Sequence, residues 1–130
     1  MLAAASHYLR RPVELAELQP AVEARLVELS TDGFQLWFAS PTARAVVSAL
    51  TPVADRHRMH LAWAEAITAA DPDRALWHRA AGTLGPDERL EADLVALAER
   101  AVGRDDLDVA AEALEQASRF AYDPQRAAHL

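Results

Sequence analysis

Seven prolines, at positions 12, 20, 41, 52, 72, 86 and 124, punctuate this 130-residue chain more firmly than any other feature. Proline has no amide proton and its ring collides with the preceding helical turn, so it opens a helix or ends one. The segments between are rich in alanine, the commonest residue and the strongest helix former. A chain cut this way folds into short helices joined by tight turns. At this length it makes one compact domain or two closely packed subdomains, with a core that needs no staples.

Each segment carries its own start and stop signals. Residues 3–10 read as one short helix, stopped by Pro12. Leu15, Leu18, Val22 and Leu26 recur at three- and four-residue spacing, and Pro20 splits that amphipathic stretch into two short helices. Ser40 before Pro41 is a good N-cap, and its helix runs to about Leu50. Thr51-Pro52 breaks it. Residues 55–70 form a longer helix with Leu61, Ala62, Ala66 and Ile67 on the buried side, and Asp71-Pro72-Asp73 ends it and starts the next. Gly85-Pro86 stops that helix in turn. Residues 87–102 and 107–120 follow, and their short connection through Gly103-Arg104-Asp105-Asp106 makes them an antiparallel hairpin. After Tyr122-Asp123-Pro124, residues 125–130 read as the first turns of a helix cut off by the end of the chain.

One stretch changes period. Val27 and Leu29 alternate with Glu28 and Ser30, and Phe34, Leu36 and Phe38 alternate with Gln35 and Trp37, which is the signature of strands. Thr31-Asp32-Gly33 lies between them, with glycine supplying the positive φ of a hairpin turn. The expected fold class is therefore mainly α with a single β-hairpin.

Charge and composition exclude several functions. The chain has 20 acidic against 13 basic residues and a net charge of −7, which opposes unaided binding to nucleic acid or to an anionic membrane. With no cysteine there is no disulfide, thiolate metal site or thiol nucleophile, as suits a reducing compartment. No apolar run approaches the ~20 residues of a membrane span. The first eleven residues lack a basic leader followed by an apolar stretch and a small-residue cleavage site, so the expected location is the cytoplasm.

The last helical pair carries small residues, Ala98, Ala101, Ala110 and Ala117, around one larger Leu114, where two helices must approach closely. That pattern resembles a tetratricopeptide repeat, although the proline expected near Tyr122 stands at Pro124. A wider resemblance covers residues 34–130. Phe38-Ala39-Ser40-Pro41-Thr42-Ala43-Arg44 resembles the Phe-Arg-His-Pro-Leu-x-Arg segment that follows the ATPase core in large ATP-binding regulators of the LuxR family, the MalT-like regulators. Arg56-His57-Arg58-Met59-His60-Leu61-Ala62-Trp63-Ala64-Glu65-Ala66 is similar to the family's Arg-x-x-x-His-x-x-Leu-Ala stretch. Trp77-His78-Arg79-Ala80-Ala81 with Gly85-Pro86-Asp87-Glu88 is similar to its Trp-His-x-Ala-Ala and Gly-Pro-Asp-Glu signature. The family's Arg-His before the proline is Ala39-Ser40 here, so contacts of those basic residues do not carry over.

The resemblance implies a partial winged helix over residues 1–52 and antiparallel TPR-like hairpins over residues 53–130, truncated at the C-terminus. It implies a non-catalytic regulatory segment that couples a sensor array to ATPase and DNA-binding domains absent from this chain; the alternative is a free-standing TPR-like scaffold. The partners are then other domains of the same regulator or another protein, with the ligand open and no direct contact with nucleic acid. Pro41, Arg44, His60, Trp77 and His78 are the family-motif packing positions.

Catalytic chemistry finds little support in the residues. A Gly-x-x-x-x-Gly-Lys phosphate loop is impossible without lysine, and no nucleophile elbow occurs, so neither an enzyme nor a resident cofactor is expected. His57 and His60 have a spacing that can share a metal, but a third ligand is not evident and no metal is expected. Asp71/Asp73, Asp87/Glu88 and Asp105/Asp106 fall at helix starts, where they meet the positive end of the dipole. Trp77 is expected to be largely buried as a plug between helices, with His78 near a carbonyl or carboxylate. Glu28 and Asp32 give the hairpin the wrong sign for a DNA-reading wing.

Overall fold

The computed structural model describes residues 2–31 and 36–122, and within them every side chain except those of residues 2–4 and 7. The chain is mainly helical. Helix α1 (Leu2–Leu9) leads through a 3-10 turn at Leu15–Leu18 into the short α2 (Gln19–Glu23), with Pro20 in its first turn. Strands β1 (Val27–Leu29) and β2 (Leu36–Phe38) pair antiparallel, Val27 opposite Phe38 and Glu28 opposite Trp37. Helices α3 (Pro41–Leu50), α4 (Val53–Ile67), α5 (Pro72–Gly82), α6 (Glu88–Val102) and α7 (Leu107–Phe120) complete the described chain. The expected turn at Asp32-Gly33 and the expected helix at residues 125–130 lie outside the described residues.

Local chemistry explains the helix starts. Ser40 Oγ accepts from the Ala43 amide at 3.0 Å, with Pro41 in the first turn. Asp71 accepts from Arg74 N at 3.0 Å, Asp87 from Leu90 N at 2.9 Å and Asp106 from Val109 N at 3.4 Å. Each cap satisfies an amide that the helix itself leaves without a partner. Gly85 adopts φ +78° in the stop after α5, and Asp105, at φ +61°, makes the turn between α6 and α7.

The helices form two antiparallel hairpins in succession. In the second, the Asp87 amide donates to Phe120 O at 3.1 Å, so the start of α6 meets the end of α7. Leu90, Leu94, Leu97, Ala98 and Ala101 of α6 bury against Ala110, Ala113, Ala117 and Phe120 of α7. The alanines let the backbones approach while the leucines remove most of the apolar area from water. Leu114 is only half-buried, and Ala113 takes the enclosed position beside it. In the first hairpin, a Cβ on Gly82 would lie 2.9 Å from His57 O and 2.8 Å from Leu61 Cγ, so the end of α5 lies tightly against α4.

Two packing expectations are corrected. On α4 the buried residues are Ala62 and Ala64, whereas Leu61 is 41% exposed and Ala66 is exposed. Lying between α1 and α5, α4 buries small residues on two sides, not one apolar stripe. Trp77 is half-buried at the edge of the core and not a plug within it. The core-facing stripe of α5 runs through Leu76 and Ala80, which leaves Trp77 on its flank.

Candidate functional site

A cleft runs along the joint between the N-terminal part and the first helical hairpin. On α4, Arg56, Met59, His60 and Trp63 recur at three- and four-residue spacing and share one face. Arg74 and His78, four apart on α5, stand beside them. The opposite wall comes from Trp37 and Phe38 of β2, then Ser40, Pro41, Arg44 and Ser48 along α3. Two adjoining cavities of about 810 Å³ and 320 Å³ share Phe38, Arg44, Ser48, Trp63 and His78.

The floor is an aromatic stack. Trp63 lies face to face with the His78 ring at 5.7 Å between centroids and 14° between planes. His78 Nδ1 faces His60 Nδ1 at 2.9 Å, so one ring donates a proton and the other accepts through its lone pair. This corrects the expected carbonyl or carboxylate partner of His78: its neighbour is a second imidazole. Burial lowers the pKa of both rings, aided by the charge of His57 at His60 and by those of His60 and Arg74 at His78. The pair therefore favours the neutral state near pH 7.

The walls are cationic. The Arg44 and Arg74 guanidinium groups have no ion pair or side-chain hydrogen bond among the described residues. Arg56 donates to the Ser48 carbonyl at 2.7 Å, which positions its charge without neutralising it. Among the described residues no carboxylate lines either cavity. Glu28, on β1, is engaged by Trp37 Nε1 at 2.8 Å. In a groove of about 510 Å³ between α4, α5 and α6, by contrast, Arg79 meets Asp93 at 3.0 Å and Arg100 meets Asp73 at 2.7 Å.

Of the motif positions singled out in the sequence, Pro41, Arg44, His60 and His78 meet at this cleft. Trp77 faces away and lines a third cavity with His57, Ala80 and Phe120. His57 and His60 thus serve different cavities, and no group of three metal-ligating side chains occurs among the described residues. Sequence reasoning missed Trp63, Arg74 and the exposed ring of Trp37. Their signal was present in part, since Trp63 lies three residues after His60 and Arg74 four before His78.

The cleft is joined to the rest by a few polar links. Tyr8 on α1 donates to Asp55 on α4 at 3.1 Å, and Asp55 also pairs with Arg58, which lies over the Tyr8 ring. The Arg58 hydrogen bond, with that of Tyr8 behind it, holds the Asp55 carboxyl below its usual range. No protein-family model, curated protein or solved structure matches the chain.

Proposed function

We propose that this chain is a non-catalytic regulatory segment of a LuxR-family transcriptional regulator, in which the joint between a winged-helix-like part and a TPR-like array relays a signal to ATPase and DNA-binding domains. One observation carries the reading. The cleft has one wall from β2 and α3 and the other from α4 and α5, so any occupant touches both parts at once. An occupant shifts a conformational balance only through different interactions with its two states, and a site whose walls move relative to each other supplies that difference. The polar links across the joint, Tyr8 to Asp55 and Arg56 to Ser48, are few enough to be remade.

The second reading is a free-standing TPR-like scaffold. Its support is the groove between α4, α5 and α6, where apolar Leu61, Ala64 and Leu76 lie beside paired charges, as suits a peptide segment. Reading the coding sequence on either side of the chain separates the two. A phosphate loop upstream and a helix-turn-helix downstream support the regulator, and finding neither replaces it with the scaffold.

A further inference from the structure

We propose that the cleft between β2, α3, α4 and α5 is a binding site for a small aromatic carboxylate. The inference deepens the reading of the joint as a regulatory element by naming the chemistry of its occupant.

The first argument is charge. In the groove between α4, α5 and α6, Arg79 and Arg100 are neutralised by Asp93 and Asp73. In the joint cleft Arg44, Arg56 and Arg74 line the walls, Arg44 and Arg74 have no partner among the described residues, and none of the described lining residues is a carboxylate, Glu28 behind Trp37 being held by the indole. Guanidinium groups lining adjoining hollows, with no acid among the described lining residues, suit an anion.

The second argument is shape and apolar surface. Trp37 is 44% exposed and Phe38 37% exposed on the same wall, opposite the Trp63–His78 stack. A bare inorganic anion leaves these rings in water, and a neutral ring leaves the guanidinium groups without a counter-charge. An anion attached to a planar ring satisfies both. The volume of about 810 Å³ lies within the range of small-molecule sites.

The third argument separates carboxylate from phosphate. Phosphate sites draw on several free backbone amides at a helix start. At the start of α3, Pro41 has no amide proton, the Ala43 amide is taken by Ser40 Oγ, and the Arg44 amide is bonded to Ser40 O. With only the Thr42 amide left over in that turn, the main donors are guanidinium forks, which match carboxylate and phosphate alike, so what disfavours phosphate is the missing cradle of backbone amides.

The test is calorimetric titration of the intact chain with 2-naphthoate, using 2-naphthol, acetate and 2-naphthyl phosphate as partial or rival probes. Saturable one-to-one binding of 2-naphthoate is expected, with 2-naphthol and acetate weaker by about tenfold or more. The double variant Arg44→Gln, Arg74→Gln removes two exposed side chains that hold nothing else in place, so it keeps the parent melting temperature and loses about tenfold or more in affinity. Arg100→Gln, in the paired groove, leaves binding unchanged. The proposal is overturned by absence of saturation at about 1 mM 2-naphthoate, by equal binding of 2-naphthol, by tighter binding of 2-naphthyl phosphate, or by an unaffected double variant. This readout does not depend on what the flanking gene encodes, so the ligand and the regulatory reading fail separately.

Discussion

Replacing Gly82 by alanine probes the contact that sets the width of the cleft floor. Gly82 ends α5, and a Cβ there would lie 2.8 Å and 2.9 Å from Leu61 Cγ and Cδ2 and 2.9 Å from the carbonyl oxygen of His57. Leu61 is partly exposed and can rotate away, but the carbonyl belongs to the α4 backbone and moves only if the two helices separate. Over-packing of this kind costs about 1–3 kcal/mol. The helix-propensity gain of glycine to alanine is about 1 kcal/mol in a helix interior and smaller at the last residue before the cap. The net expectation is a loss of about 1–2 kcal/mol, or a fall of roughly 3–10 °C in melting temperature for a chain this size. Thermal unfolding followed by far-ultraviolet circular dichroism measures it. Near-ultraviolet spectra should change too, because spreading α4 from α5 disturbs the stacking of Trp63 on His78. A variant that melts at or above the parent would refute the close approach of α4 and α5.

Three further outcomes follow from the same structure. Leu94→Ala, at a fully buried position between α6 and α7, should destabilise the chain by about 2–5 kcal/mol, and chemical denaturation showing less than about 1 kcal/mol would contradict that core. Because burial lowers the pKa values of His60 and His78, the unfolded chain takes up protons before the folded one does. Stability should therefore be level above about pH 6.5 and fall as pH drops through the folded values of the pair. The double variant His60→Gln, His78→Gln should flatten that profile, and an identical slope in parent and variant would remove the pair as its cause. Fluorescence titration with random duplex DNA should give only weak, non-specific binding, whereas submicromolar affinity near about 150 mM salt with a steep salt dependence would overturn the charge argument.

The parts of the fold legible in the sequence were those fixed by neighbours in the chain. Ser40, Asp71, Asp87 and Asp106 cap helices through amides three residues on, so each start could be read from a few letters. The hairpin of α6 and α7 was equally plain, because Leu90, Leu94, Leu97 and Ala101 keep one helical period and the connection is short. Leu61 and Trp77 were misjudged, since their burial depends on where α1 and α6 lie relative to α4 and α5, and no local period records that. The cleft was legible only in fragments. His60, His78 and Arg44 stood out one by one, but their meeting with Trp37 and Trp63 is a product of tertiary packing across some forty residues of chain.

The central claim, that the joint transmits change between the two parts, is tested most directly by amide hydrogen exchange on the chain with Arg56→Ala. This substitution removes the bond from α4 to the Ser48 carbonyl of α3 and touches nothing in the α6–α7 core. Exchange should quicken along α3 and in β2, while α6 and α7 keep their protection, as expected of units that open with separate free energies. If α3 and β2 exchange at parental rates, or if all helices quicken together, the joint is not a coupling element and the regulatory account is contradicted.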